Sequence, residues 1–528
     1  MKKSLLYLNL LAAILTTASC QHEKSKHKVI AKGYDQHVEL HWDKLSNTTS
    51  YEVYLSTDNG DKFTKRATVK DTVYLDFLSD LGSNLNLQYQ IKAVDGSDNI
   101  YNIAQISTRT FTDEELLDMV QYYTFRYFWD GAEPNSGLAR ERYHMDGVYP
   151  QNDKNIVTTG GSGFGIFGLL AGIERGWITK EEGLKRFQKI VSFLASADRF
   201  HGVWPHWLDG ETGKVKAFSP KDDGGDTVES AFLMQGLLAV REYYKNGTQD
   251  EQLLAMEIDK LWKEMEWDWY TQNKDVLYWH WSPNYNWEMN FPLEGYNECL
   301  ITYILAASSP THTISADAYH KGWARDGQIT ANENPYGIKL NLKHNYAEKL
   351  GGPLFWAHYS FIGLDPRGLE DQYTNYFDHN RNHTLINRAW CVENSNSFEG
   401  YGEDLWGLTS SYSVKGYAGH KPGEQSDLGV ISPTAALSSI VYTPDESMDV
   451  IKNLYYNYGK ETFGLYGFYD ALSPKDDWYP QRYLAIDQGP IVAMIENYRS
   501  QLGWKLFMNA PEIKEGLRKL GFVYDPNN

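Results

Sequence analysis

The stretches 160–172 and 231–240 are Gly, Ala, Leu, Ile, Phe, Met and Val almost all round, with Ser162 and Gln235 the only polar residues in them. A helix without a polar face must be enclosed on every side, so the fold that accepts these two has helices inside other helices. A second kind of helix takes turns with them. Thr112-x-x-Glu115 is a capping box followed by Leu116, Met119, Val120, Tyr123 and Tyr127 on one face. Thr179-x-x-Glu182 opens another, with Leu184, Phe187, Ile190, Val191 and Leu194 as its stripe. Thr443-Pro444-x-Glu446 starts a third, which Gly459 can close, and Asp365-Pro366 and Ser432-Pro433 are further starts. Enclosed and striped helices alternating from 111 to 528 suit an (α/α)6 barrel, a double ring of roughly twelve helices. A pair of helical bundles is the alternative.

From 28 to 110 the period is two instead: Val38-x-Leu40-x-Trp42, Tyr51-x-Val53-x-Leu55 and Tyr89-x-Ile91-x-Ala93. Turn signals at Asp58-Asn59-Gly60-Asp61 and Asp95-Gly96-Ser97-Asp98-Asn99 separate the runs, and together they predict a small β-sandwich. The pattern resembles a fibronectin type III module, a fold that many unrelated functions use. Ahead of it, Lys2-Lys3, an apolar run at 5–15 and Thr17-Ala18-Ser19-Cys20 read as a targeting segment over 1–20. Small residues before a Cys resemble a bacterial lipobox, with Cys20 acylated; Thr17 departs from it, where Leu is usual. Ordinary secretion with a stray Cys is the other reading. The expectation is a chain lipid-anchored in the bacterial cell envelope, in the periplasm or on the outer-membrane surface, meeting the membrane only through that anchor. Cys299 and Cys391 are the remaining cysteines; they form no metal motif and read as free core thiols.

A net charge of −19 among 528 residues argues against a nucleic-acid surface, which needs clustered Lys and Arg, and against a cleft for acidic polysaccharides. Six of the 17 Trp fall between 262 and 287. Indole rings suit the apolar faces of sugars as well as protein cores, and the polar neighbours of Trp279, Trp281 and Trp287 favour sugar contact. Long connectors at 130–158, 200–225, 273–293, 326–350 and 393–431 carry Trp, Tyr, Gly and His; in a helical barrel they would gather at one rim and build a cleft.

Hydrolysis of a sugar bond needs a proton donor and a second carboxylate. Asp226 and Glu229 stand three apart before the apolar run at 232–240, where a capping box competes with a catalytic pair. Glu298 runs straight into an apolar helix, so burial would raise its pKa towards that of a useful acid. Asp487, in Asp487-Gln488-Gly489-Pro490, is a third candidate, beside the plain reading of a helix start. Glu133 and Arg140 form a further group, with Arg140 either a substrate clamp or an ion-pair partner of the acid. His201 and His206 flank Trp204-Pro205, which prevents a shared helical zinc face, so no metal or other cofactor is expected. His201, Trp204, His206 and Trp207 read instead as sugar contacts, with packing the competing reading.

Taken together these segments carry a resemblance. Phe128 to Gly137 (FWDGAEPNSG), Thr158 to Gly165 (TTGGSGFG), Asp198 to Trp207 (DRFHGVWPHW), Asp223 to Glu229 (DGGDTVE), Tyr296-Asn297-Glu298, Ser308 to His312, Trp406 to Thr409 and Asp487 to Pro490 resemble the glucoamylase-like domain of glycoside hydrolase family 144, in order across 112–520. The resemblance implies an (α/α)6 barrel that cleaves a neutral substrate, β-1,2-glucan or its oligosaccharides, with inversion. Among the residues matching the family's cleft, Glu298 is assigned as acid and Asp487 as base, with Asp226 and Glu229 binding or tuning. Glu133, Arg140, His201, Trp204, His206, Trp207, Trp279, Trp281 and Trp406 are the expected substrate contacts. Family members include chain-interior cutters and end-acting enzymes that release sophorose. A β-module beside the barrel mouth would wall off one end of the cleft, which inclines the expectation towards end action. The alternative is a surface lipoprotein that binds glycan without cleaving it. A polysaccharide lyase is third, since it usually needs basic groups that this acidic chain does not advertise.

Overall fold

The computed structural model describes residues 27–46, 48–94 and 101–526. The targeting segment, Cys20 and the turn expected at 95–99 lie outside the described residues. The chain divides into two compact units, Met1–Thr110 and Phe111–Asn528.

The first unit holds strands β1 (Val29–Gly33), β2 (His37–Trp42), β3 (Tyr51–Ser56), β4 (Thr64–Val69), β5 (Val73–Phe77), β6 (Asn86–Ala93) and β7 (Ala104–Ser107). They pair antiparallel as two sheets, in the orders β1-β2-β5 and β4-β3-β6-β7. Alternation decides what each face meets: Val38, Leu40 and Trp42 from one sheet and Tyr51, Val53, Leu55, Tyr89 and Ile91 from the other share one buried cluster.

The second unit is helix-rich, with small antiparallel ribbons in its connectors. Its helices are α1 (Asp113–Trp129), α2 (Thr159–Glu174), α3 (Lys180–Ser196), α4 (Thr227–Tyr244), α5 (Gln249–Lys263), α6 (Leu300–Ser308), α7 (Tyr376–Glu393), α8 (Pro433–Leu437), α9 (Pro444–Tyr456), α10 (Gly459–Thr462), α11 (Ala485–Ser500), α12 (Leu502–Phe507) and α13 (Pro511–Lys519). Helix α2 is buried along all but its last residue, α4 nearly so, and α6 and α8 throughout. By contrast α3, α5, α9 and α13 each bury one stripe. Helix α2 lies between α4 and α11, and glycine lets it come close. A Cβ on Gly163 would stand 2.1 Å from the Phe232 carbonyl oxygen, so that contact admits no side chain.

The capping boxes at Thr112/Glu115 and Thr179/Glu182 form as the spacing predicts. Two other punctuation marks differ. Thr443 makes no capping bond, and Gly459 opens α10 instead of closing α9. Asp365-Pro366 starts a turn, because the Asp365 carboxylate is taken up by the Arg367 backbone N–H and guanidinium and by the Tyr524 hydroxyl. Cys299 and Cys391 are buried free thiols, and no described helix is long and apolar enough to cross a membrane.

Candidate active site

The N-termini of the buried helices meet. The Gly160 N–H at the head of α2 donates to Glu229 Oε2 in the first turn of α4 (2.8 Å). A Cβ on Gly161 would lie 3.0 Å from the Ile486 nitrogen at the head of α11. Thr434 Oγ in α8 donates to the Asp487 carbonyl (2.8 Å). The buried Tyr359 lies in the electrostatic field of Asp487, Glu229 and Glu298 together. All four expected acids therefore stand at the starts of helices around one centre.

Asp226 caps α4, its Oδ1 accepting from the Val228 and Glu229 N–H groups at 3.0 and 2.9 Å. The other half of the expected capping box is absent, because Glu229 turns away to the head of α2. That leaves Asp226 Oδ2 for the Trp279 indole N–H (3.0 Å) and for His206 Nδ1 (3.4 Å). A short ribbon, Gly225–Asp226 on His280–Trp281, fixes Trp279 in reach.

His206 stands between Asp226 and Glu229, with Phe218 stacked on its ring at 4.0 Å. Burial disfavours its imidazolium, but Glu229 and then Asp226 and Asp222 outweigh that and raise its pKa to about 10. Burial holds the protons of Glu229 and Asp222 up to about 7. One atom each from His206, Asp222 and Asp226 lie within 4.8 Å of one another, and the imidazolium puts a positive charge in that space.

Glu298 immediately precedes Cys299, the cap of α6, and burial raises its pKa to about 7, with a smaller contribution from Asp226. Asp487 is the third residue of α11, and only 2% of its surface is exposed. Its pKa is well above the usual carboxylate range, through burial first and then the carboxyl of Asp470, with Glu141 adding to both. A cavity of about 670 Å³ is lined by Arg142, His144, Tyr412, Tyr417, Trp478 and Arg482, among others, and the N–H of its Tyr412 donates to Asp470 (2.7 Å).

The expected substrate contacts separate into four kinds. Trp279 and Trp281 are partly exposed on the ribbon that carries Asp226's partner strand, and His201 packs on Trp281 and stacks on Trp269 at 3.9 Å. Trp207 is nearly buried under the Arg142 guanidinium. Trp204 and Trp406 have no exposed surface, so their indoles pack and cannot stack on a sugar. Glu133 is filled by the N–H groups of Asn135 and Ser136, the Asn135 amide and the Ser136 hydroxyl. Arg140 is held by Lys154 O and Asn155 instead of by an acid. Both residues are thus spent on folding their connector.

The "Glycoamylase" family model, described as "Putative glucoamylase", matches residues 290–511. An exo β-1,2-glucooligosaccharide sophorohydrolase (non-reducing end) of Parabacteroides distasonis is 44% identical over 93% of this chain and 70% of its own. The structure of an endo-β-1,2-glucanase from Chitinophaga pinensis, in complex with sophorotriose and glucose, is 62% identical over 78% of this chain and 99% of that one, with a TM-score of 0.78. A β-1,2-glucanase structure from Parabacteroides distasonis covers 94% of this chain and 73% of its own at 42% identity, with a TM-score of 0.85.

The chain belongs to glycoside hydrolase family 144.

As a member of family 144 it is a glycoside hydrolase, and a role limited to glycan binding is not favoured. Three groups of this hydrolase's site escaped the reading of its residues. Asp222 sits four positions before Asp226 in the acid-rich run that opens the site, yet Asp226 and Glu229 drew the attention because they share a helix face. Asp470, in Phe468-Tyr469-Asp470-Ala471-Leu472, is an acid inside an apolar run, and that was its only mark. Glu141 lies inside the connector at 130–158, where nothing in its neighbours marks it, and it is buried.

Proposed function

We propose that this enzyme hydrolyses β-1,2-glucan or β-1,2-glucooligosaccharides with inversion and releases sophorose. In this reading Glu298 gives its proton to the leaving glycosidic oxygen while Asp487, across the cleft, accepts one from the attacking water. Inversion needs about 6.5–9.5 Å between the two carboxyls, which favours acids on different helices over the neighbours Asp226 and Glu229. The observation that carries the reading is that Glu298 and Asp487 come from the heads of two different helices and that the charges of both reach the same buried Tyr359. Burial holds the Glu298 proton at about 7, where a general acid is most useful. Asp226, Glu229 and His206 form a charged wall that orients sugar hydroxyls, with Trp279 and Trp281 alongside. The cavity lined by Tyr412, Tyr417 and Trp478 takes a glucosyl unit.

Glu298→Gln and Asp487→Asn are each expected to lower reducing-end release by about 10²–10⁴-fold. Full activity in either variant would remove that residue from the chemistry. The anomer first formed, followed by NMR, should be inverted. Interior cutting is the second reading, favoured by the 62% identity to an endo-β-1,2-glucanase. A long glucan decides it, since sophorose alone from the first minutes supports end action and a ladder of lengths supports interior cutting.

The same proposal takes the helix-rich unit as an (α/α)6 barrel, its enclosed helices forming the inner ring, and the N-terminal unit as a fibronectin type III-like β-sandwich. It takes Cys20 as the lipidation site that holds the enzyme in the cell envelope. Palmitate labelling of wild type but not of Cys20→Ala would support the anchor, and equal labelling would reject it.

A further inference from the structure

Asp470 lies between the ribbon Phe463–Gly464/Gly467–Phe468 and the strand Arg482–Leu484, where its N–H donates to the Arg482 carbonyl (2.9 Å). Its Oδ2 accepts from the Tyr412 N–H at 2.7 Å. Its Oδ1 and both carboxyl oxygens of Asp487 are buried without a donor among the described groups, and only 3% and 2% of the two residues is exposed. The Gln488 amide donates to the Phe468 carbonyl (2.7 Å), and Leu484 and Ile486 pack with Ala471 and Tyr412, so the segments carrying the two carboxyls are held together and each carboxyl acts on the ionisation of the other. Two carboxyls so placed cannot both ionise without strong repulsion, whereas a single proton between them gives an unpartnered oxygen on each side a partner.

The surroundings say which member keeps the charge. The Tyr412 N–H stabilises an ionised Asp470, and the Arg142 guanidinium, which pairs with Glu141 and Asp153, favours it further. Around Asp487 the carboxyl of Glu141 opposes ionisation, and the charge of Asp487 in turn acts on Tyr359 and Tyr417. The proton therefore rests on Asp487.

We propose that Asp470 is a positioning residue that shares one proton with Asp487 and thereby sets the pH at which Asp487 is free to accept the proton of the attacking water. The inference rests on the reading of Asp487 as the base. Before turnover the pair releases its proton to solvent. The water oxygen then bonds to the anomeric carbon as its proton passes to Asp487, the glycosidic bond breaks, and the leaving oxygen takes the Glu298 proton. Asp487 returns its proton to solvent and Glu298 regains one.

Asp470→Asn keeps a side-chain donor for Asp487 but removes the competing negative charge. The kcat/KM optimum is expected to move to lower pH by about one unit or more. Asp470→Glu should return it towards the wild-type value. A fall in activity at every pH with the optimum unmoved would overturn the proposal. A measurement that needs neither activity nor that variant is infrared spectroscopy at neutral pH. The difference spectrum between wild type and Asp487→Asn should show the loss of one carboxylic-acid C=O band beyond those of Glu298, Glu229 and Asp222, which are common to both, and the absence of that loss would also overturn the sharing of a proton. If Asp487→Asn stays fully active but loses the band, the shared proton stands and the base assignment falls.

Discussion

Burial holds the Glu298 proton up to about 7, against an ordinary value near 4.5, and this links its chemistry to stability. Below the unfolded-state pKa both states carry the proton. As pH rises towards 7 the unfolded chain ionises first, so the folded state loses stability across that window and the penalty is complete above it. Glu298→Gln, a permanent mimic of the neutral acid, should match wild type in urea unfolding at pH 4 and exceed it at pH 8 by up to about 3 kcal/mol, while hydrolysis collapses. A variant no more stable at pH 8 would mean the carboxyl is solvated. The same desolvation explains which residues could be read in the sequence. Glu298 announced itself as an acid running into an apolar helix, and Asp226 and Glu229 as acids before a core helix. Trp204 and Trp406 misled, because an indole in a polar-looking segment can still be wholly enclosed. Asp470 stayed hidden because its partner Asp487 is 17 residues away in sequence and is brought to it by the return of the Arg482–Leu484 strand.

Among the elements, two kinds of feature were legible: capping boxes, whose partners are three residues apart, and enclosed helices, whose apolar character is continuous. Thr112→Ala should therefore cost about 1 kcal/mol, read as a lowered urea midpoint with hydrolysis kept, since α1's cap is exposed and remote from the acids. Long-range contacts were not legible, and Glu229 shows why. A capping box would have used it locally, but the head of α2 offers an N–H that no intrahelical acceptor satisfies, and the carboxylate goes there. Small residues make that approach possible. A Cβ on Gly163 would meet backbone, which cannot turn aside, so Gly163→Ala should force α2 and α4 apart and cost about 1–3 kcal/mol or more. Gly402→Ala, whose nearest neighbour would be 3.5 Å away, is the matched control and should unfold with wild type. Equal midpoints for the two variants would mean that the helices have slack at their crossing.

For the whole molecule, every acid assigned to the chemistry, together with His206, Trp279 and the cavity beside Tyr412, belongs to Phe111–Asn528. The N-terminal unit has a buried cluster of its own, drawn from both of its sheets, and contributes none of these groups. The change of period from two to helical near Thr112 made this division visible in the sequence, because a β-face and a helical stripe cannot share a pattern. The two relatives bear on the consequence differently. The Chitinophaga pinensis structure is matched over 99% of its chain by 78% of this one. The sophorohydrolase, matched over 93% of this chain, extends across both units. A chain of residues 111–528 should accordingly hydrolyse short β-1,2-glucooligosaccharides as fast as the full chain, with the same loss on Glu298→Gln. If the N-terminal unit restricts action to chain ends, the truncated enzyme should change its products on a long glucan from sophorose alone to a ladder of lengths. An unchanged product pattern would place the choice between end and interior cutting within the helical unit's own connectors. Loss of activity on the short substrate, in a truncated chain that still unfolds cooperatively, would show that the first unit supplies something the acids need.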